Sequence, residues 1–151
     1  MAKFIYRMQN ILDIKMKLEQ TAKQEYSEAR RRLAEEEEKL QVLKNRKESY
    51  FQAYQDSIQG RLDFLMIEEN ANAMDVMDLF IAEQSETVKK RSKELELARQ
   101  KMEREMRERK MHEKLKEKKF LEFLRELNAE EKRETDEVAG YQFMSAKTNE
   151  R

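Results

Sequence analysis

The feature that most constrains this chain is a series of positions spaced alternately three and four residues apart. It begins at Ile5 and continues through seven repeats to Tyr54. Residues at this spacing lie on one face of an α-helix, and a face sustained over many heptads is typical of a coiled coil. The positions in the series are Ile5, Met8, Leu12, Lys15, Glu19, Ala22, Tyr26, Ala29, Leu33, Glu36, Leu40, Leu43, Lys47, Tyr50 and Tyr54.

Charged side chains interrupt this heptad series, which we call the seam of the first helix. Because a charge is costly to bury on a contact face, we expect these positions to weaken the helix pair. The pair then depends on its length or on partners. Phe4, Ile11 and Leu18 widen the apolar stripe near the start of the helix. The charged seam positions are Lys15, Glu19, Glu36 and Lys47.

The composition favours long helices over a deep compact core. The 151 residues include no proline, two glycines, no cysteine and no tryptophan, 42% are charged, and the mean hydropathy is −1.07. Such polarity is also typical of disorder, but the helical periodicity and the missing prolines argue against it. Without cysteine there is no disulfide framework, and no apolar run of roughly 18 residues predicts a membrane span. The N-terminus lacks the apolar core of a secretory signal, so we expect a cytoplasmic protein.

Gly60 is the predicted turn between two helices. It is one of only two glycines, and it stands where a helix C-terminus favours a residue in the left-handed conformation. Asp63 follows as a candidate cap of the second helix. The segment 70–74, which contains two asparagines, is a rival position for the turn.

The predicted fold is therefore all-α, with two long helices that form one antiparallel coiled-coil hairpin. The whole chain, residues 1–151, belongs to this single hairpin. The expected order is helix 1 at about 4–58, a turn at about 59–63, helix 2 at about 64–137 and a frayed tail at 138–151. The spacing leaves open whether the seam pairs within one chain or between two copies.

A hairpin with these helix lengths leaves the second helix longer than the first. Folding the chain about residue 61 places residue 4 beside about residue 118, and Arg7 beside Leu115. Residues 120–137 then project beyond the N-terminus without a partner helix. Their apolar face predicts a contact with another protein. Two alternatives are that the N-terminal residues slide to cover this face, or that it self-associates. The face consists of Phe120, Phe123, Leu124 and Leu127.

The net charge of zero conceals a segregated pattern. Residues 62–85 contain six acidic side chains and no basic one, whereas residues 86–119 contain 14 basic and eight acidic side chains. In the predicted hairpin the half near the termini has a formal net charge of +8, and the half near the turn has a formal net charge of −5. Charge segregation of this kind can orient a protein between two different partners.

No combination of residues in this sequence predicts catalysis or a bound cofactor. His112 is the only histidine and has no second histidine or cysteine with which to bind a metal. The four glutamates at 35–38 point around a helix and cannot converge on one atom. No glycine-rich phosphate loop is present. The basic triplets at 30–32 and 89–91 lack aromatic platforms, so we expect no nucleic-acid partner. From these observations together we also expect no small-molecule substrate, no cofactor and no enzyme activity.

Two segments resemble a known family. The sequence FIYRMQNILDIKMKLEQTAKQEY at 4–26 and the sequence HEKLKEKKFLEFLRELNAEEKRETDE at 112–137 are similar to the ends of the flagellar export protein FliJ. The length and the glycine near the middle also fit this family, so the resemblance covers nearly the whole chain.

The resemblance implies a soluble, non-enzymatic component of the flagellar type III export apparatus. It implies a coiled coil similar to the central stalk of rotary ATPases, located at the cytoplasmic face of the flagellar basal body. The implied partners are the hexameric flagellar export ATPase, a membrane protein of the export gate and export chaperones, with any membrane association made through partners. The alternative is a generic coiled-coil scaffold or homodimeric spacer with no ATPase partner.

The hypothesised contacts fall into two groups. The first group lies at the terminal end of the hairpin. Its polar members are expected to contact the ATPase, and its apolar members form the face of the projecting helix that is expected to contact another protein. Its members are Arg7, Gln9, Asn10, Lys114, Lys116, Lys118, Phe120, Phe123 and Leu127. The second group lies near the acidic turn and is assigned to the export gate or a chaperone, although its methionines also suit the hairpin core. Its members are Phe64, Met74, Met77, Leu79 and Phe80.

Overall fold

The computed structural model describes residues 2–149 and contains two α-helices over that range. Helix α1 spans Gln9–Ile58 and helix α2 spans Phe64–Asn149. The helices pack in antiparallel order, because early positions of α1 contact late positions of α2. The predicted all-α hairpin is confirmed, and so is the extension of α2 beyond the N-terminus.

The turn between the helices lies at Gly60, in the segment 59–63. Gly60 has φ +83°, a left-handed conformation that glycine adopts without steric cost, as predicted. Asp63 caps α2, since its Oδ1 accepts a hydrogen bond from the backbone N–H of Met66 at 3.3 Å. The rival segment 70–74 lies inside α2, where Asn70 is buried.

The seam predicted from the sequence is the face of α1 that packs on α2. Every seam position from Leu12 to Lys47 is buried or half-buried, and so is Tyr54. The three exceptions are exposed and lie near the ends of the helix pair: Ile5, Met8 and Tyr50. Periodicity alone therefore identified the contact face.

The hairpin divides into two compact units. The turn unit comprises Gln20–Arg104, and the terminal unit comprises Met1–Glu19 together with Glu105–Arg151. In the turn unit, Ala22 and Met77 are buried apolar side chains. In the terminal unit, Leu12 is the most deeply buried one. Each unit therefore has its own small core.

The start of α1 differs from the expected start near residue 4. Residues 2–6 are not helical, and α1 begins at Gln9. The backbone carbonyl of Met8 accepts hydrogen bonds from the N–H groups of Ile11 and Leu12 in the first turn. Non-helical chain advances about 3.3 Å per residue, whereas a helix rises 1.5 Å per residue. The N-terminal segment therefore reaches further along α2 than a helix would. Phe4 lies against Phe120 and Phe123, two and five residues beyond the expected position at about residue 118.

The end of α2 also differs from the expected frayed tail at 138–151. The helix continues to Asn149, and residues 150 and 151 lie outside the described residues. Gly140 does not end it, because its backbone is not left-handed. One glycine inside a helix costs only about 1 kcal/mol relative to alanine, and no proline follows to stop the helix.

Candidate partner-binding site

Glu19 and Arg109 form the polar centre of the terminal unit. Glu19 is a seam residue of α1 that is only 5% exposed. Arg109 Nε donates to Glu19 Oε2 at 2.5 Å, and Arg109 Nη2 donates to Glu19 Oε1 at 3.2 Å. The remaining Arg109 nitrogen, Nη1, donates to Glu113 Oε2 at 2.7 Å. The carboxylate is therefore buried with a planar, bidentate partner, which is the geometry in which a buried ion pair is best tolerated.

A second ion pair of the terminal unit lies one helical turn before Glu19. Lys15 Nζ donates to Glu108 Oε2 at 2.8 Å. This hydrogen bond raises the pKa of Lys15, while the hydrogen bonds to Glu19 and Glu113 raise the pKa of Arg109. Both cations are therefore held in the charged form, and together the two pairs fix α1 against this part of α2.

Aromatic rings fix the N-terminal segment to α2. The ring of Phe4 lies 5.2 Å from that of Phe120 in an edge-on arrangement and 5.5 Å from that of Phe123. Contacts of this type stabilise beyond simple area burial. An open groove runs alongside, lined by residues 3–8 of this segment and by Lys119, Glu122, Phe123 and Glu126.

This packing corrects the expectation that residues 120–137 have no partner inside the chain. Phe123, Leu124 and Leu127 are half-buried, and Phe120 is 41% exposed. The N-terminal segment covers this face in part, which is one of the alternatives left open by the sequence. The unpaired part of α2 begins later, since every residue from 128 to 149 is exposed.

All nine residues hypothesised for the first contact group lie in the terminal unit. Four of them are exposed polar residues that are open to a partner: Arg7, Asn10, Lys114 and Lys118. Gln9 and Lys116 are half-buried, and Gln9 also donates a hydrogen bond to Asp13 at 2.8 Å. The three apolar members, Phe120, Phe123 and Leu127, are partly occupied by contacts within the unit. Their binding role stays a prediction.

The C-terminal extension of α2, residues 128–149, carries apolar side chains that the sequence reasoning did not single out. They were overlooked because residues 138–151 were expected to be a frayed tail and not a helix. Glutamates at 130, 131 and 134 continue the line of Phe123 and Leu127, so the apolar pattern is interrupted before it resumes. The exposed apolar residues of the extension are Val138, Tyr141, Phe143 and Met144.

The turn unit presents a second apolar stripe on α2, directed away from α1. Leu65 is 65% exposed and Leu79 68% exposed, and Val76 is also exposed. Phe80 is exposed too, but it lies at the edge of the stripe and shares a groove with Leu43 and Arg46 of α1. These exposed α2 residues belong to residues 62–85, the segment without a basic side chain. The outward face therefore combines apolar and acidic groups. Leu65, Val76 and Leu79 are eleven and three residues apart, which places them on one helix face, and this signal was already in the sequence.

The second contact group separates into two sets in the structure. Met77 is buried and Met74 is half-buried, so both belong to the hairpin core. Phe64, Leu79 and Phe80 are exposed and are available to a partner. The core interpretation of the methionines is the one that the structure supports.

The described residues contain no arrangement suited to metal binding. Over residues 2–149, no group of three or more His, Cys, Asp or Glu side chains could hold a metal ion. His112 is half-buried, and its Nδ1 has no hydrogen-bond partner among the described residues. Neither described helix is long and apolar enough to cross a membrane.

These features define a class of protein: a two-helix antiparallel coiled coil with exposed apolar and charged surfaces. The chain belongs to the flagellar FliJ protein family, whose model matches residues 4–148. Membership of this family supports a role as a component of a type III export apparatus. A comparison with curated proteins finds no match.

A solved structure has the same fold. It is that of a protein described as a YscO homolog, CT670, from Chlamydia trachomatis, with a TM-score of 0.61 and 23% sequence identity. The similarity covers 97% of this chain and 99% of the other chain. At this identity it supports the hairpin fold over nearly the full length of both proteins.

Proposed function

We propose that this protein is a component of the flagellar type III export apparatus that binds the hexameric export ATPase as a stalk-like coiled coil. The family match over residues 4–148 supports the apparatus. The terminal unit supports the contact, because Phe4 holds the N-terminal segment against α2 and creates one composite surface. The protein then acts at the cytoplasmic face of the basal body.

Exposed cations of this composite surface carry the ATPase contact. Arg7 lies just before α1, and Lys114 and Lys118 lie on α2 of the same unit. The neutral Asn10, in the first turn of α1, adds an exposed polar contact. Cations on a firm helical scaffold can guide an acidic partner surface into place, and this attraction weakens as the salt concentration rises.

Charge reversal tests the ATPase contact. A variant with Glu at positions 114, 116 and 118 is expected to bind the ATPase at least about tenfold more weakly while keeping its helical circular dichroism. A matched control reverses three exposed lysines of the same helix in the turn unit, namely Lys89, Lys90 and Lys93. The control is expected to bind normally. Equal binding by both variants would remove the proposed site.

The outward face of residues 62–85 is proposed to bind a second partner, the membrane protein of the export gate or an export chaperone. Its exposed Phe64, Leu79 and Phe80 supply apolar contacts, and its six acidic side chains favour a basic partner. A photo-crosslinker at position 64 or 80 is expected to capture the partner, whereas one at the buried Met77 is not. Crosslinks that join only copies of this protein would argue against a gate or chaperone contact.

A scaffold or homodimeric spacer with no ATPase partner is the alternative function. Both interpretations are compatible with the same hairpin, so only the behaviour of the protein in solution can distinguish them. Sedimentation of the purified protein with and without the ATPase separates them. Co-sedimentation supports the stalk, whereas a dimer that ignores the ATPase supports the spacer.

A further inference from the structure

The four charged residues in the seam of α1 are each matched by a polar side chain of α2. In the terminal unit the matches are Lys15 with Glu108 and Glu19 with Arg109. In the turn unit, Gln84 Nε2 donates to Glu36 Oε2 at 2.6 Å, and Lys47 pairs with Asp78 at 2.5 Å. Within the hairpin, no charged seam position therefore faces a like charge or an apolar residue alone.

The same residues would be mismatched if two copies of α1 paired with each other in parallel. In a parallel two-stranded coiled coil each seam residue faces its own copy on the other strand. Lys15 would then face lysine and Glu19 would face glutamate, and the same holds for Glu36 and Lys47. Glu19 is the most demanding position, because it is almost fully buried in the seam, where two facing carboxylates would repel each other with little screening by solvent.

The rest of the seam does not oppose self-pairing. Leu12, Leu33, Leu40 and Leu43 are apolar core positions that could also pack between two α1 helices, and Ala22 and Ala29 permit close approach. We propose that the four charged seam residues direct α1 to α2 and exclude parallel pairing between two α1 helices. This inference concerns self-association, and its outcome is independent of any ATPase contact.

A dimer that exchanges helices between copies would preserve all four matched pairs, so total mass alone is an insufficient measurement. A cysteine at Ala29 distinguishes the two geometries. In a parallel α1 pair, positions 29 of the two copies lie within disulfide range, about 6 Å between Cα atoms. In an antiparallel arrangement of α1 with α2 they do not meet. The natural sequence contains no cysteine, so this thiol is the only one present.

The experiment compares disulfide formation at position 29 in two backgrounds under mild oxidation. One background is the natural sequence with Ala29→Cys, and the other also carries leucine at positions 15, 19, 36 and 47. We expect little cross-linked dimer in the first background and at least about a tenfold larger fraction in the second, whose seam is continuously apolar. Sedimentation should show the second protein moving from 18.4 kDa to twice that mass.

A third protein controls for hydrophobicity. It carries Ala29→Cys with leucine at the exposed positions Lys17, Gln24, Glu38 and Glu48, which lie outside the seam. It is expected to cross-link as little as the natural background. Two results would overturn the proposal: extensive disulfide formation in the natural background, or no increase in the seam-leucine variant while its helical signal is retained.

Discussion

Glu19 and Arg109 are 90 residues apart in sequence and form a bidentate ion pair inside the helix interface. From the sequence, Glu19 was expected to weaken the helix pair because it places a charge in the seam. In the structure it is one of four matched positions, and its partner is also bonded to Glu113. A charged residue in a heptad seam therefore does not by itself indicate a weak helix pair.

The ion pair predicts a non-additive response to mutation. Arg109→Met removes the bidentate guanidinium from the buried carboxylate of Glu19, so it should lower the melting temperature. Adding Glu19→Leu to Arg109→Met should recover much of the loss, because the buried charge that has lost its bidentate contact is removed. Thermal melts followed by circular dichroism check this cycle. A double variant less stable than Arg109→Met would show that the pair does not control the stability of this unit.

Leu12 is predicted to be the main apolar contributor in the terminal unit. It is 2% exposed, and truncating a buried leucine costs about 2–5 kcal/mol. Leu12→Ala should therefore destabilise the protein by an amount near the lower end of that range, since the core is shallow. Ile14→Ala, at a residue that is 56% exposed, is the matched control and should cost much less. Urea unfolding measures both.

The two glycines should respond to alanine in opposite directions. Gly60→Ala places a Cβ on a left-handed residue and should cost about 1–2 kcal/mol, although no atom lies within 4 Å of the added carbon. Gly140→Ala lies inside an exposed helix and should stabilise it locally by about 0.5–1 kcal/mol. Unfolding measures the first, and hydrogen exchange near residue 140 measures the second. A stabilising Gly60→Ala would contradict the observed turn.

Glu36 should contribute to the acid sensitivity of the turn unit. The hydrogen bonds from Gln84 and then Lys39 lower the pKa of Glu36 from its ordinary value of 4.5. The folded protein thus binds this proton less readily than the unfolded chain does. The resulting stabilisation is complete above the ordinary pKa and is lost as the pH falls through the folded value.

Two variants test this dependence by chemical unfolding between neutral pH and about pH 3. Glu36→Gln removes the titrating group, and Gln84→Leu removes its principal donor. Each should make stability fall less steeply below the ordinary pKa of 4.5. If both variants keep the slope of the natural protein, the contact does not contribute to the acid response.

Much of the fold follows from spacing and from two turn residues. The series from Leu12 to Lys47 identifies the packed face of α1, and Gly60 with Asp63 marks the turn. These features are local, so their physical causes lie within one or two helical turns. Register needs more than this. Phe4 reaches Phe120 because residues 2–6 are not helical, and no periodic pattern predicts that change.

The sequence predicted where the candidate site lies, but it did not predict which of its side chains are exposed. The nine residues chosen from the ends of the chain lie in one unit, because an antiparallel hairpin brings its ends together. Which of them are free could not be read from the pattern. The stripe containing Leu65 and Val76 was hidden by the core stripe on the same helix, since both follow helical spacing.

The main proposal is that this protein binds the export ATPase as a stalk-like coiled coil. The most direct measurement is the ATP hydrolysis rate and hexamer content of the purified ATPase as the purified natural protein is added. If the protein binds in this way, we expect both quantities to change and to reach a plateau, and we expect a variant with Glu at positions 114, 116 and 118 to produce a much smaller change at the same concentration. Unchanged hydrolysis and an unchanged hexamer fraction with the natural protein would contradict it.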